Sequence, residues 1–115
     1  MNNLALVLVN LGKYEEAEQM HRQTLELRKT ALGKDHLDTL DNMNALAIVL
    51  ENLGKYGEAE CSQRQALIGY KKVFGNHHPR TLGSMNNLAS VLQSLGKYEE
   101  AEQMHRQTSS FESGR

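Results

Sequence analysis

The sequence predicts an all-α fold, a right-handed solenoid of antiparallel helix pairs with about two and a half repeats. The first observation is a recurring octapeptide, LGKYEEAE at residues 11–18, LGKYGEAE at residues 53–60 and LGKYEEAE again at residues 95–102, equally spaced along the chain. Self-similarity at a fixed period of about 42 residues is typical of stacked supersecondary units. The second is that apolar residues between the octapeptides recur every three or four positions, the spacing of one helix face.

The methionines Met1, Met43 and Met85 open equivalent segments and set the domain organisation. The array is predicted over residues 1–108, with units at 1–42, 43–84 and 85–108. Residues 109–115 drop the pattern and are predicted to form a disordered tail. Each hairpin has too little apolar surface to stand alone, so the units are expected to stack around a shared core.

In the first unit, one helix is predicted from Met1 to about Leu11. Gly12 is expected to end it, because glycine tolerates the left-handed backbone that follows a helix C-terminus. A second helix is predicted from Tyr14 to a stop at Gly33. The apolar face of this second helix is predicted to comprise Ala17, Met20, Thr24, Leu27 and Ala31.

The later units repeat the plan. In the second unit, helices are predicted over residues 37–52 and 56–74. In the third unit, a first helix is predicted over residues 79–94, since Pro79 suits a helix first turn, and a second over residues 98–108. First helices are expected to line the concave side of the stack and second helices the convex side.

The composition excludes several classes of function. The chain has 13 basic and 14 acidic residues, which argues against a nucleic-acid binder. No apolar run is long enough for a membrane span, and no secretory signal is recognisable. The one cysteine, Cys61, cannot form an intramolecular disulfide, which fits a reducing compartment. The cytoplasm is the predicted location, with the nucleus as the alternative.

A small residue at Ala47, a turn at Gly54, Tyr56 after it and Ala59 in the second helix match the tetratricopeptide repeat pattern, and the same set recurs in the other units. With the longer period found here and the segments LGKDHLDTL, GNHHPRTL and MNNLA, the chain resembles the kinesin-light-chain type of that family. Most members of the family have a shorter repeat of about 34 residues. The chain also departs from the family in having Leu37 where a helix-start proline is usual.

The resemblance implies a protein-binding scaffold rather than an enzyme. Kinesin light chains hold cargo peptides in the concave groove, with first-helix asparagines reaching the peptide backbone, and Asn2, Asn44 and Asn86 match those positions. Similar arrays of the same period also follow NB-ARC or NACHT nucleotide-binding modules in signalling proteins. This chain contains neither a coiled coil nor a Walker-type loop. A cargo adaptor, a sensor array and a decayed fragment without function all remain open.

A comparison of units one and three within the chain indicates a specificity surface. Residues 1–24 and 85–108 are identical at 21 of 24 positions, and the three differences fall at offsets i, i+3 and i+4 on one helix face. One hypothesis is that this face selects the ligand. The alternative is that drift collects where packing constrains least. The predicted groove residues are Asn2, Leu6, Val9, Asn10, Asn44, Ile48, Glu51, Asn52, Asn86, Ser90, Gln93 and Ser94.

No residue pattern indicates a catalysed reaction or the coordination of a metal ion, so no catalytic, metal or cofactor site is predicted. The five histidines are mostly repeat-equivalent and should diverge, whereas zinc ligands must converge. Loop or packing roles are expected for them. Cys61 is expected to fill space in the second helix. The recurring glutamates are interpreted as solvated helix starts.

Neither end of the repeat pattern carries the polar capping helix that solenoids need. This indicates a piece of a longer array, either a fragment or a truncated gene product. The isolated chain is therefore expected to be marginally stable or to self-associate end to end.

Overall fold

In a computed structural model of the chain, the backbone is described for residues 2–113 and the side chains for residues 12–109. Within that part of the chain there are no strands. There are five helices, α1 (Asn2–Leu32), α2 (Leu37–Asn52), α3 (Tyr56–Phe74), α4 (Pro79–Ser94) and α5 (Tyr98–Ser113). Each helix packs on the next along the chain, and α2 also touches α4. The predicted all-α solenoid of antiparallel helix pairs is confirmed.

The turns within the second and third helix pairs are the same. Gly54 has φ +78° and Gly96 has φ +80°, in the left-handed region that favours glycine. After each glycine, the backbone N–H of the next lysine donates to a carbonyl in the first helix, from Lys55 to Leu50 and from Lys97 to Leu92, both at 2.8 Å. These bonds reverse the chain, and the predicted starts of α3 and α5 are confirmed.

Histidines cap the first helices of these two units. The Nδ1 atom of His36 accepts the backbone N–H of Asp38 at 3.1 Å, and His78 does the same for Arg80. Each bond satisfies an N–H group that has no partner within the helix. The predicted loop roles of these two histidines are therefore confirmed as capping roles.

The first unit differs from the prediction, because α1 runs straight through Gly12 and no turn separates two helices. Gly12 does not have the positive φ of Gly54 and Gly96. The reason lies in the neighbours: α2 packs between α1 and α3, and α4 packs between α3 and α5. Within the described chain, residues 2–11 have no preceding helix to pack against. Without that contact, continuing the helix costs only the weak helix propensity of one glycine, about 1 kcal/mol.

The straight α1 leaves part of its predicted apolar face uncovered. Met20 is 67% exposed and Leu27 is 71% exposed, although both were expected to be buried. In α3 the equivalent residues Ser62 and Gly69 are buried, since α2 folds back onto them. The exposure in α1 therefore follows from the absence of a first helix folded against it.

The end of α5 also differs from the prediction. The helix continues to Ser113, so residues 109–113 are helical and not a disordered tail. No glycine or proline occurs between Tyr98 and Ser113, and nothing local stops the helix before Gly114. Residues 114 and 115 lie outside the described part of the chain.

Small residues allow the helices to approach closely. Ala47, Ala59, Ala66 and Ala89 are all fully buried. One apolar cluster joins α1 to α4 and includes Leu25, Leu46 and Val91. A second joins α3, α4 and α5. Each cluster therefore spans more than one helix pair, and the core is not divided into one core per pair.

A polar contact that does not repeat braces the middle of the stack. The hydroxyl of Tyr70 in α3 donates to Asp41 of α2 at 2.5 Å, and Arg80 of α4 donates to the same carboxylate oxygen at 2.6 Å. Burial, together with this carboxylate, raises the pKa of Tyr70 above its ordinary value. Tyr70 therefore stays protonated as a donor and links three helices.

A repeated group of four charged side chains, here called the ion clamp, joins successive second helices. In the first clamp, Glu18 accepts from Lys55 at 2.9 Å and from Arg22 at 2.8 Å, and Arg22 also donates to Glu58 at 2.8 Å. The second clamp lies one repeat further on and consists of Glu60, Arg64, Lys97 and Glu100. Glu18 and Glu60 are thus buried or half-buried members of a network, not solvated helix starts as predicted.

The clamps lower the pKa of their central carboxylates. Hydrogen bonds from Lys55 and then Arg22 lower the pKa of Glu18 below its ordinary value of 4.5. For Glu60, burial raises the pKa, but the hydrogen bonds from Arg64 and Lys97 together outweigh it and the pKa is again lowered. Since the folded-state pKa lies below the unfolded value, each carboxylate stabilises the fold above about pH 4.5, and this stabilisation is lost as the pH falls through the folded-state pKa.

The approach of α2 to α3 at Gly69 gives a first prediction. A Cβ atom at this position would lie 2.2 Å from Cδ2 of Leu40, whose side chain is only 1% exposed. Gly69→Ala should therefore destabilise the chain by about 1–3 kcal/mol through overpacking. The midpoint of urea unfolding measures this change. The control is Gly83→Ala, an exposed position in α4 with open space around it, which should stabilise by up to about 1 kcal/mol. Equal gains at both glycines would contradict the close approach.

The ion clamps give a second prediction. The double variant Glu18→Gln/Glu60→Gln should melt roughly 5 °C below the wild type at pH 7, because both clamps lose their central charge. The difference should begin to shrink as the pH falls below about 4.5 and should vanish once the pH has passed the lowered folded-state pKa values of the two wild-type carboxylates. Thermal unfolding followed by circular dichroism at several pH values measures both effects.

The matched control for this experiment is Glu15→Gln/Glu99→Gln. Both glutamates are exposed and form no ion pair among the residues with described side chains. This pair should leave the pH dependence of the wild type unchanged. A Glu18→Gln/Glu60→Gln variant with the same acid response as the wild type would show that the clamps do not contribute.

Candidate functional site

The adjacent first helices α2 and α4 present a polar surface, here called the α2–α4 face. Two hydrogen bonds join the helices across it. The amide of Asn87 donates to Oδ1 of Asn44 at 3.1 Å, and the hydroxyl of Ser90 donates to Oε2 of Glu51 at 2.7 Å. These bonds fix the register of the two helices, so the side chains between them have defined positions.

An exposed apolar side chain lies between these bonds. Ile48 is 42% exposed and sits one helical turn from Asn44 and less than one turn from Glu51 on α2. On α4, Asn86 is exposed, and its side chain makes no hydrogen bond within the described part of the chain. A primary amide can donate and accept at once, as a peptide unit does. The surface therefore combines an apolar contact with unused hydrogen-bonding capacity.

The predicted groove residues are divided by the structure. Asn44, Glu51 and Ser90 take part in the hydrogen bonds across the α2–α4 face. Ile48 lies between Asn44 and Glu51 on α2, and Asn86 is exposed on α4 one helical turn before Ser90. Asn52 bonds the carbonyl of Ile48 in its own helix at 3.0 Å. Both Gln93 and Ser94 are exposed at the C-terminal end of α4, and Gln93 lines a pocket together with residues of α5. The side chains of the other four, Asn2, Leu6, Val9 and Asn10, lie outside the described residues.

Sequence reasoning missed one residue of this face, Asn87. Because Asn87 has the same identity as Asn3 in unit one, a comparison that flags only differences passes over it. The two consecutive asparagines in the segment MNN at residues 85–87 were the sequence signal that could have pointed to Asn87. Its partner Asn44 was predicted to reach a ligand, yet it is half-buried and already engaged with Asn87.

A second surface, a cleft of about 610 Å³, lies between α1 and α3. Its lining is mixed and includes Arg22, Leu25, Lys29 and Cys61. The cysteine is exposed there, so the prediction that it fills space inside the stack is wrong. Since Cys61 takes the place of Gln19 and Gln103 in the other units, it stands at a surface position of the repeat.

Neither surface gathers a set of metal ligands among the described side chains. Among residues with described side chains, no group of three or more histidine, cysteine, aspartate or glutamate side chains converges to hold a metal ion. In the same part of the chain, no helix is long and apolar enough to cross a membrane. What the α2–α4 face offers is hydrogen bonding and one apolar contact, which suits the binding of another chain.

Comparison with known proteins identifies the repeat. The family model described as tetratricopeptide repeat matches residues 1–72 and residues 62–111. Together these matches cover nearly the whole chain, including α1 and most of α5.

A relative gives a second point of comparison. The chain is similar to a nucleotide-binding leucine-rich repeat (NLR)-like protein of Hyaloscypha variabilis, with 53% identity over 43 residues. The similar segment is 37% of this chain and 4% of that protein. The chain thus matches only a small part of a much longer relative.

Proposed function

Because this chain belongs to the tetratricopeptide repeat family, we propose that it is a non-catalytic interaction scaffold that holds an extended segment of a partner protein against the α2–α4 face. The observation that carries the proposal is the exposed Ile48 flanked by the two inter-helix hydrogen bonds. An extended segment offers backbone N–H and C=O groups to Asn86 and one apolar side chain to Ile48.

The charge of the face suggests which segments it prefers. Glu51 keeps a carboxylate at the surface, half-buried and hydrogen-bonded to Ser90, and no basic residue pairs with it among the described side chains. A lysine or arginine in the ligand can supply that charge. We therefore expect a segment with an apolar residue close to a basic one.

The finer assignment to the kinesin-light-chain type is part of the same proposal. Its support is the long repeat period, the first-helix asparagines and the exposed position of Asn86. In that arrangement, the partner is an extended cargo peptide and the cytoplasm is the compartment.

Replacing Ile48 tests the face directly. Ile48→Asp should weaken binding of peptides selected by display against the wild type by about tenfold or more, because it removes an apolar contact and adds charge. Fluorescence anisotropy with a labelled peptide measures the affinity. The matched control is Ile68→Asp, a 66% exposed isoleucine on α3, which should bind as the wild type does. Equal losses in both variants would exclude the α2–α4 face.

Exchange of the unit-specific residues tests whether the face selects its ligand. Ser90→Leu/Gln93→Val gives unit three the residues that unit one has at these positions. It also frees the Glu51 carboxylate, so the selected peptides should become more apolar and more basic. Sequencing the peptides retained in a display screen measures the shift. An unchanged peptide profile would favour drift over selection as the origin of the differences.

A second candidate function rests on the similarity to the NLR-like protein. In this alternative, the array is the sensor or oligomerisation portion of a nucleotide-dependent signalling protein of the NB-ARC or NACHT type. Full-length transcript sequencing separates the candidates. An in-frame Walker-type loop upstream of these repeats would favour the sensor, whereas an upstream heptad coiled coil would favour the cargo adaptor.

A further inference from the structure

Half of a third ion clamp, the pair formed by the central glutamate and its arginine, occurs on α5. Glu102 and Arg106 stand one repeat after Glu60 and Arg64, and they contact each other as those residues do. Among described side chains they contact no further charge. The side chain of Glu102 is 62% exposed, whereas that of Glu60 is 15% exposed beneath Lys97. Within the described chain, α5 therefore presents the receiving half of a clamp.

The donating half occurs at the other end. Lys13 and Glu16 stand one repeat before Lys55 and Glu58, the residues that complete the first clamp. Both are exposed and form no ion pair with any described side chain. Within the described chain, the first and last second helices thus carry complementary halves, with the residue types and spacing that form the two clamps between them.

The surface around the open clamp also matches a surface that is occupied elsewhere. Residues 98–108 of α5 are identical in sequence to residues 14–24 of α1. On α1 this stretch packs against α2, and Asn42 donates to the carbonyl of His21 at 2.8 Å. On α5, no first helix from a following unit covers it within the described chain. The same stretch of sequence therefore binds the first helix of the following unit on α1, whereas on α5 no such helix covers it within the described chain.

Tyrosines at the start of the second helices show the same contrast. Tyr56 is half-buried and packs against the apolar cluster that includes Val91 of the following first helix. Tyr98, its equivalent, is 68% exposed. In the sequence of residues 2–11, Val7 occupies the repeat position that Val91 has two units later. The segment able to cover Tyr98 is thus present in the chain, at its opposite end.

We propose that copies of this chain bind head to tail, with α5 of one copy receiving residues 2–24 of the next. In the complex, residues 2–11 fold back at Gly12, as the chain does at Gly54 and Gly96, and pack between two second helices. Lys13 and Glu16 complete the clamp on Glu102 and Arg106. The contact joins two different surfaces and does not close on itself, so association extends to chains of copies as concentration rises.

Charge reversal with complementation tests the contact. One variant reverses the donating half, Lys13→Glu/Glu16→Lys, and another reverses the receiving half, Glu102→Lys/Arg106→Glu. Sedimentation velocity over a range of concentrations measures association, and circular dichroism checks that each variant folds. Each variant alone should dissociate at concentrations about tenfold higher than the wild type, because opposite charges become like charges. The matched control, Glu26→Lys/Lys71→Glu, reverses two exposed charges outside the clamps and should associate as the wild type does.

Mixing the two variants decides the outcome. An equimolar mixture restores opposite charges at the junction between them, and its association should return to the wild-type range. A wild-type chain that stays monomeric at all concentrations would overturn the proposal, and so would a mixture that associates no better than its components. Loss of association in the control variant would also overturn it, since a general charge effect would then explain the result.

Discussion

The structure depends on one requirement, that a first helix be buried between two second helices. α2 meets it between α1 and α3, and α4 meets it between α3 and α5. Fully buried Ala47 and Ala89 allow the close approach on both sides. Most helical stability in proteins comes from such packing rather than from propensity. The junctions between helices, more than any single hairpin, therefore hold the fold together.

The sequence predicted α2, α3 and α4 at their observed bounds because its local signals, a glycine turn and a proline at a helix start, agree with the packing there. It failed for α1, although Leu11-Gly12-Lys13-Tyr14 is identical to the turn at residues 95–98. The same tetrapeptide forms a turn in one context and continuous helix in another. Local sequence allows the turn at Gly12, but a neighbouring helix decides whether it forms.

The candidate site was predicted in part for a similar reason. Comparison of units one and three located Ser90 and Gln93, whose equivalents in unit two are Ile48 and Glu51. It could not show that Ser90 bonds Glu51 or that Asn87 bonds Asn44, because these contacts depend on the register between helices. Burial was misjudged where it depends on a neighbour, as at Glu18, which is shielded by Lys55 from the next unit. A repeat pattern identifies equivalent positions, whereas contacts between units decide what each position does.

The ion clamp has a consequence for how such a chain can change in length. Its residue types are the same at both junctions, with Glu18 and Arg22 facing Lys55 and Glu58 as Glu60 and Arg64 face Lys97 and Glu100. Loss of residues 43–84 by recombination would bring Lys97 and Glu100 onto Glu18 and Arg22, and that junction would keep the same charges in the same order. The same clamp can therefore form between any two units that carry these residues. A gene encoding these repeats can gain or lose whole units while each new boundary keeps its electrostatic fit.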